Sequence, residues 1–563
     1  MSYTRREFLR RLGLTAGAVP LATALTACDE TMGEDENNLL QEEEMPLELP
    51  TYSYDGEQGP EGLFSHGVAS GDPLTDAVIL WTRVSPDDPA AEVEIFWEMA
   101  TDPELTELVA AGYLSTSASR DFTVKVDVAG LLPGTTYYYR FRSQDRDSNI
   151  GRTRTAPDEA QGMERMRFAV TSCSNFSGGY FHVYRQIANR HDLDLVIHLG
   201  DYIYEYASRT AVFPAKDGGE PVDRSHLPPV EILTLKDYRV RYAQYRTDED
   251  LQEAHRQHVF VCVWDDHEAA NDAYKDGAQN HSDDEGEWSL RKEAARQAYF
   301  EWMPVRAFPM QEGRLWRAFS FGGLVDLVML DTRIWGRDEQ VGSKSASQDE
   351  ERTLLGEDQQ EWLFETLRTS TSKWRFLGQQ VMMGQLGTPT GPINFDQWDG
   401  YDVTRQMLFD LIQDEMIDNV VVLTGDIHTS WAIDLSKNPY DDEAYDPDSG
   451  EGALAVEFVT PSVTSPALEE VPVSIVERLA RLNPHIKYFE LTRRGYVIVD
   501  VTAERVQGAW FLLDRIDSPD FEEEFAVAFH VDAGAPFLIS DAEPAEPRGE
   551  APQPAPRTDV SKT

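Results

Sequence analysis

The stretch Leu195–Tyr206, which reads LVIHLGDYIYEY, decides the fold of this 563-residue chain. It stays largely apolar until a glycine and an aspartate end the run. Two later stretches have the same form, Val259–Glu268 (VFVCVWDDHE) and Val420–Ser430 (VVVLTGDIHTS). Such runs indicate buried parallel strands, and ligands of open α/β sheets collect outside the carboxyl ends of these strands. The sequence therefore predicts an α/β fold with three polar strand ends at one edge.

Each of these strand ends carries side chains that bind metal ions. Asp201 ends the first run, Asp266 and His267 end the second, and Asp426 and His428 end the third. A carboxylate has two oxygens and can bridge two cations. Two neighbouring cations can clamp a phosphoryl group and supply hydroxide at neutral pH. Together the three ends predict a two-cation site; for Asp201 alone, a helix cap is the alternative.

Three further residues are candidate ligands of the same site. Tyr204 lies three residues after Asp201 and is interpreted either as a ligand or as a core or rim tyrosine. Cys173 ends the apolar run 168–172, and we consider a metal-bound thiolate, a buried hydrophobe and a nucleophile. Asn271 offers one more possible oxygen ligand.

Three further charged residues are candidates for roles at the site. Arg333 follows an apolar run and is interpreted either as a bidentate phosphate clamp or as a structural ion pair. Asp265 and Glu268 flank Asp266 and His267. We interpret these two acids either as supports for the ligands or as capping residues.

The first 28 residues have the form of a twin-arginine export signal. Thr4–Arg10 (TRREFLR) carries the paired arginines, and the apolar stretch Leu12–Ala27 that follows has 16 residues. A bilayer-spanning helix needs about 20, so this stretch is interpreted as a processed segment. Leu25–Cys28 (LTAC) resembles a lipobox, with plain signal cleavage as the alternative. We therefore expect export by the Tat pathway to the periplasm or cell surface, with a lipid anchor on Cys28.

The chain is strongly acidic: 100 Asp+Glu against 50 Lys+Arg give a formal net charge of −50 at pH 7. Such a charge repels nucleic-acid backbones and anionic lipid surfaces, so we expect no nucleic-acid partner. Three cysteines, one of them Cys28, are too few for a disulfide scaffold. Cys262 lies inside an apolar run and is interpreted as a small buried hydrophobe.

The sequence pattern divides the rest of the chain into four parts. Residues 29–60 indicate an acidic linker, and residues 61–157 contain short alternating strands typical of a small all-β immunoglobulin/fibronectin-like domain. From residue 163 to 515, apolar runs alternate with amphipathic stretches, which predicts a large α/β domain. Residues 516–563 indicate an acidic, proline-rich C-terminal tail, and we expect its end, after Ile539, to be loose.

These motifs resemble, in their order and number, the PhoD-type alkaline phosphatase family of the metallophosphoesterase superfamily. The resemblance spans about residues 64–513 and rests on SCS at 172–174, GYF at 179–181, HLGDYIYEY at 198–206, WDDHE at 264–268, DTR at 331–333 and GDIHTSW at 425–431. In the wider superfamily pattern, Cys173 stands in the first ligand block, Asp266 replaces an asparagine and Asp426 replaces a histidine. These departures fit the PhoD branch.

The resemblance implies a fold, a metal content and residue roles. The fold would be a metallophosphoesterase-type β-sandwich flanked by helices and preceded by the small all-β domain. Fe³⁺ would be held by Cys173, Asp201, Tyr204 and His428, and Ca²⁺ by Asp201, Asp266, Asp426 and Asn271. Carboxylates in place of imidazoles favour Ca²⁺ over Zn²⁺, whereas thiolate and phenolate donors suit trivalent iron. His267 would orient the phosphate or protonate the leaving group, and Arg333 would help to clamp it.

We expect the chain to hydrolyse phosphate esters outside the cytoplasm by attack of a metal-bound hydroxide in line with the leaving alkoxide. Monoesters are the expected substrates, with some diesterase activity. The expected partners are small phosphate esters and the Tat export machinery, with membrane contact only through a lipid on Cys28. Two alternatives stay open: a phosphodiesterase or phospholipase D-like hydrolase using the same site, and a non-catalytic exported lipoprotein that binds phosphate or metal.

Overall fold

Two large β-sheets carry the fold in the computed structural model, which describes residues 48–307, 313–388, 391–468 and 470–557. The export signal predicted for residues 1–28, and the linker as far as residue 47, lie outside the described residues. Helices and strands alternate through the large domain, which confirms the predicted mixed α/β class. Among the described helices, none is long and apolar enough to cross a bilayer.

The described strands are β1 Val68–Gly71, β2 Ala77–Arg83, β3 Val93–Ala100, β4 Leu108–Thr116, β5 Thr123–Ala129, β6 Thr136–Ser143, β7 Arg146–Asp147, β8 Gly151–Arg154, β9 Arg165–Thr171, β10 Leu195–His198, β11 Val212–Phe213, β12 Val222–Asp223, β13 Val259–Cys262, β14 Arg317–Phe321, β15 Val325–Met329, β16 Trp374–Gln379, β17 Gly387–Thr388, β18 Gly391–Pro392, β19 Val420–Thr424, β20 Ser430–Ser436, β21 Ala453–Val459, β22 Ile486–Glu490, β23 Arg494–Thr502, β24 Arg505–Leu513, β25 Glu523–Asp532 and β26 Ala535–Asp541. The described α-helices are α1 His182–Ala188, α2 Leu235–Tyr245, α3 Glu249–Gln257, α4 Trp288–Trp302, α5 Lys344–Ser347, α6 Glu357–Thr369, α7 Asp402–Asp414 and α8 Val473–Leu482.

The first sheet has ten strands in the order β26-β25-β24-β23-β9-β10-β13-β1-β2-β5 and contains two of the three apolar runs. Its central strands β9, β10 and β13 are parallel, so their carboxyl ends lie at one edge. Every residue of β10 and β13 is buried. Burial on both faces explains why these strands are continuously apolar instead of alternating.

The second sheet has seven strands in the order β14-β15-β16-β19-β21-β20-β22 and contains the third apolar run as β19. Its strands β15, β16, β19 and β21 are parallel. The ring of Phe168 in β9 meets that of Phe376 in β16 edge to face, with centroids 5.6 Å apart. Gly425, directly after β19, lies against Ser172, directly after β9. The packing of the two sheets therefore brings their polar strand ends together.

The N-terminal strands, which the sequence assigns to a small all-β domain at residues 61–157, divide between two sheets. Strands β1, β2 and β5 extend the ten-stranded sheet, and β1 pairs in parallel with β13 at Ser70–Val259. Of the described strands, β3, β4, β6, β7 and β8 form a separate five-stranded sheet. The alternation of apolar and polar residues and the spacing of turns predict strands. They do not reveal that β1 pairs with β13, a strand so distant in the chain.

The C-terminal residues 516–557 belong to the folded body, whereas the sequence predicts a tail that is loose at its end. Strands β25 and β26 extend the ten-stranded sheet, and β25 buries Ala528, Phe529 and Val531. Composition misled the prediction because these apolar residues are few and their neighbours in the sequence are acidic.

Residues 542–557, which we call the C-terminal segment, also pack against the body of the protein. Arg548 forms an ion pair with the buried Asp194. Arg256 donates to the backbone carbonyls of Ala555 and Pro556, each at 2.9 Å. Backbone carbonyls accept hydrogen bonds whatever the side chain, so a proline-rich composition does not prevent this packing.

Candidate metal centre

Four predicted ligands lie on unusual backbone immediately after buried strands. Cys173, Asp201, Asp426 and His428 have φ angles of 61°, 54°, 61° and 62°, in the left-handed region. Such a conformation costs a residue other than glycine about 1–3 kcal/mol and is found mainly at functional sites. The turns change the chain direction at the sheet edge, so the side chains converge there.

The turn that carries Asp201 is held by Gly200 and Glu268. Gly200 has a φ of 103°, and a Cβ at this position would lie 2.4 Å from the Cβ of Asp265, so the close approach requires glycine. The buried Glu268 carboxylate accepts the backbone N–H groups of Asp201 at 2.9 Å and of Asp265 at 2.7 Å. Glu268 therefore supports two ligand-bearing turns.

The first group of candidate ligands contains Cys173, Asp201 and His428. One ligand atom from each lies within 4.8 Å of the others. Tyr204 joins them, because its Oη lies 2.8 Å from Asp201 Oδ2 and 3.2 Å from His428 Nε2. Burial and the nearby Asp201 charge raise the pKa of both Cys173 and Tyr204 well above their ordinary values. Their deprotonated forms therefore need a positive charge beside them.

Two further groups share carboxylates with the first. Asp201, Asp266 and His267 form one, and Asp265, Asp266 and Asp426 form the other, each with ligand atoms within 4.8 Å. Asp201 belongs to the first and second of the three groups and Asp266 to the second and third, so these carboxylates link the groups. Asp265, interpreted from the sequence as a support or cap, here offers a ligand oxygen as well.

The closely spaced, buried carboxylates of Asp265 and Asp426 are suited to binding a cation. Desolvation raises the pKa of Asp265 well above its ordinary value and that of Asp426 to about 7, although Arg333 opposes both shifts. The Oδ2 atom of Asp265 is buried without a hydrogen-bond partner among the described residues. Buried carboxylates of this kind are stabilised by pairing or by metal coordination. Oxygen donors suit Ca²⁺, whereas the thiol and phenol of the first group suit a more highly charged ion.

The His267 ring is oriented by a buried carboxylate. Its Nδ1 lies 2.6 Å from Glu205 Oε2, and the other Glu205 oxygen accepts Asn280 Nδ2 at 2.8 Å. Burial lowers the pKa of His267, but Glu205 and the neighbouring carboxylates Asp201 and Asp266 together raise it well above 6.5. Glu205 therefore fixes the imidazole in one orientation and favours its protonated form, as a proton donor requires.

Arg333 lies within the carboxylate cluster and is fully buried. Its guanidinium binds the carboxylates of Asp265 and Asp426, and its Nη1 lies 2.7 Å from Asp396 Oδ2. Protein carboxylates thus occupy every side of the guanidinium fork. Of the two interpretations made from the sequence, the structural ion pair is the one that these contacts support.

Asn271 lies beside the centre, but its side chain has other partners. Its Oδ1 accepts the Tyr206 hydroxyl at 3.0 Å, and its Nδ2 donates to Gln279 Oε1 at 3.1 Å. Metal ligation by Asn271 stays a prediction.

Sequence reasoning missed Glu205, Asp396 and Ser465. Glu205 lies inside the opening motif, but only the tertiary structure pairs it with His267. Asp396 lies in a loop with no apolar run to mark it. Ser465, which contacts Tyr204 and the Cys173 carbonyl, could have been found, because the run 460–465 (TPSVTS) directly follows the buried strand β21, as the candidate ligands follow their strands.

Comparisons with known proteins identify the family. The model of the PhoD-like phosphatase family matches residues 168–510, and the model of the PhoD-like phosphatase N-terminal domain matches residues 52–157. The chain belongs to the PhoD-like phosphatase family. The alkaline phosphatase D of Bacillus subtilis (strain 168) is 36% identical over 536 residues, which cover 92% of this chain and 86% of the relative.

A solved structure described as PhoD matches the fold with a TM-score of 0.78 and 35% sequence identity. The match covers 89% of this chain and 95% of that one. A PhoD-like chain with this degree of similarity over nearly its whole length is a phosphatase enzyme. The non-catalytic alternative considered from the sequence is therefore set aside.

Proposed function

We propose that this PhoD-like phosphatase hydrolyses phosphate monoesters, and some diesters, at the centre formed by the three ligand groups. The observation that carries the proposal is the convergence of Cys173, Asp201, Asp266, Asp426 and His428, from four separate strand ends, within the ligand groups described above. The name of the Bacillus subtilis relative, alkaline phosphatase D, supports the reaction class.

We assign Fe³⁺ to Cys173, Asp201, Tyr204 and His428, and Ca²⁺ to Asp201, Asp266 and Asp426, with Asn271 as a further candidate. When bound, these cations would lower the pKa of a water molecule to supply the nucleophile and would neutralise charge on the phosphoryl oxygens. The chemistry of the donors supports the assignment, since anionic sulfur and phenolate donors suit trivalent iron and carboxylates suit Ca²⁺.

The protein's own residues have three tasks in this proposal. Asp201 holds the Fe³⁺ ligands and the Ca²⁺ ligands at a fixed separation, because it belongs to both sets. His267, oriented by Glu205, carries a proton that it can donate to the leaving alkoxide through the ring nitrogen that Glu205 does not contact. Arg333 keeps Asp265 and Asp426 in place and offsets part of their charge before a cation binds.

The chemistry is tested with the full-length protein prepared in its own export pathway. Elemental analysis should find iron and calcium, and a nitrophenyl phosphate monoester should be turned over. Asp201→Asn should lower kcat by about 1,000-fold or more, because cation stabilisation of the transition state is worth several kcal/mol. Asp326→Asn, which removes a carboxylate in β15 far along the chain from every ligand, is the matched control. Comparable activity of the Asp201 variant when metal-replete would reject the proposal.

A phosphodiesterase or phospholipase D-like activity is the second candidate, because the same centre would act on a phosphate with one more ester group. Comparing kcat/KM for the nitrophenyl monoester and the bis-nitrophenyl diester decides between the two. We expect the monoester value to be higher, and a preference for the diester would make diester hydrolysis the main activity.

We also propose that the enzyme works outside the cytoplasm, exported by the Tat pathway and anchored through a lipid on Cys28. The support is the paired Arg5 and Arg6 and the LTAC lipobox. Replacing both arginines by lysine should keep activity inside the cytoplasm. Cys28→Ser should release active enzyme from the membrane fraction, and unchanged membrane association of this variant would contradict the lipid anchor.

A further inference from the structure

Ser465 contacts the candidate iron ligands although it is not one of them. Its side chain is fully buried. Its Oγ lies 2.6 Å from Tyr204 Oη and 2.9 Å from the backbone carbonyl oxygen of Cys173. These contacts place one hydroxyl group between two residues of the same ligand group.

The loop that carries Ser465 is fixed on both sides. Ser462 pairs with Ser172 in a β-bridge, and its Oγ donates to the Ser465 carbonyl at 2.8 Å. On the other side, the Pro466 carbonyl lies 2.9 Å from His428 Nδ1. The position of the Ser465 hydroxyl is therefore set by the fold and does not depend on a ligand.

The Ser465 hydroxyl has one proton and two possible acceptors, the Tyr204 oxygen and the Cys173 carbonyl. In the metal-free arrangement, Tyr204 donates its own proton to Asp201 Oδ2. When Tyr204 is deprotonated to bind a cation, its oxygen becomes a charged acceptor, whereas the Cys173 carbonyl stays neutral. Hydrogen bonds to charged acceptors are about twice as strong as neutral ones, so the Ser465 proton then turns to the phenolate.

We propose that Ser465 is a positioning residue that donates a hydrogen bond to the Tyr204 phenolate of the iron-loaded enzyme and limits the charge that this ligand donates. The inference rests on the iron assignment in the proposed function. Outer hydrogen bonds of this kind orient metal ligands and tune the metal. With less charge donated by the phenolate, the ion stays a stronger Lewis acid for phosphate.

The inference predicts a spectroscopic signature. A phenolate bound to Fe³⁺ gives a visible charge-transfer band, and a hydrogen bond to the phenolate oxygen stabilises the donor orbital. Ser465→Ala should therefore shift this band to longer wavelength and make the iron reduction potential more negative. Turnover of the nitrophenyl monoester should fall about tenfold, the lower part of the range for such outer partners.

The experiment records absorption and resonance Raman spectra of the iron-loaded full-length enzyme. Ser465→Ala is compared with Ser465→Cys, which nearly keeps the volume but offers only a weak donor. Thr464→Val is the matched control, because the Thr464 hydroxyl donates at 2.7 Å to the Asn175 carbonyl and contacts no ligand. Tyr204→Phe identifies the phenolate modes by removing them.

Each outcome bears on one of the two claims. A shift in either Ser465 variant, with none in Thr464→Val, supports the inference. An unmoved phenolate band in both folded Ser465 variants overturns it and leaves the iron assignment standing. An iron-loaded wild-type enzyme without phenolate modes overturns the assignment of Tyr204 as an iron ligand, and the inference with it.

Discussion

The charge on Glu205 favours the protonated form of His267, so neutralising Glu205 should lower the catalytic rate. Glu205→Gln keeps the size of the side chain and a hydrogen bond to Nδ1, but His267 loses its charged partner. We expect kcat for the monoester to fall about 10- to 100-fold, within the range for loss of general acid catalysis. Steady-state kinetics of the metal-replete variant provide the measurement, with Asp326→Asn as control. A kcat within about twofold of wild type would show that His267 does not need this partner.

Arg333 offers a residue-scale test of stability. Arg333→Met leaves Asp265 and Asp426 without this buried partner, while Asp396 keeps Arg337, and breaking such a pair costs about 3–5 kcal/mol. Because Ca²⁺ would replace part of the lost charge, we expect a smaller loss of unfolding free energy in Ca²⁺ than in EDTA. Urea unfolding under both conditions measures this difference. The exposed Arg515, paired with Asp517, is the control: Arg515→Met should leave stability nearly unchanged, because water and salt screen exposed ion pairs.

At this scale the sequence predicts the ligands better than their partners. Asp201, Asp266 and Asp426 could be found because each directly follows an apolar run. Glu205 and Asp396 could not, because their roles depend on which distant residue the fold places opposite them.

Among the elements, the C-terminal segment makes a contribution to stability that can be measured. Arg548→Ala removes one of the cations that pair with the buried Asp194, and Arg154 remains as the other. Hydrogen bonds to charged groups contribute about 1.5–3 kcal/mol each, so we expect a loss of about 2 kcal/mol in unfolding free energy. Chemical denaturation measures it. A variant as stable as wild type would show that this segment does not stabilise the main body.

The strands themselves were largely predictable, but the way they pair was not. β10, β13 and β19 are short apolar runs bounded by polar residues, and the sequence locates all three. The pairing of β1 with β13, and of β9 with β23, joins segments far apart in the chain. Local pattern carries no information about such partners, so the sequence does not reveal that the N-terminal strands continue the central sheet.

Buried histidines that are neutral in the folded chain should each favour unfolding in mild acid. Among the histidines whose pKa burial lowers below the ordinary 6.5, His66, His198 and His226 reach about 3 and His485 about 4, and the pKa values of His255 and His258 are also well below 6.5. Below pH 6.5 the unfolded chain binds protons at these sites while the folded chain does not. Each of these sites therefore makes unfolding more favourable as the pH falls, by about 2 kcal/mol at pH 5.

His485 allows this effect to be measured one site at a time, away from the metal centre. Its Nε2 lies 2.8 Å from the Gln385 carbonyl, a contact that glutamine can reproduce. His485→Gln should remove about 2 kcal/mol of the stability difference between pH 7 and pH 5. Unfolding curves of both proteins at the two pH values measure the change. An identical pH dependence in the two proteins would mean that His485 is protonated in the native state.

The ten-stranded sheet has a consequence for how the chain is made. Strand β9, at the start of the large domain, pairs on one side with β10, which follows soon after, and on the other with β23, which is synthesised much later. Until the ribosome has produced β23, one edge of β9 lacks its native neighbour, and open strand edges promote aggregation. The nascent polypeptide can therefore aggregate during the long interval between the synthesis of β9 and that of β23. Co-expression of a chaperone should raise the yield of the intact enzyme more than the yield of a truncated chain that ends before β9.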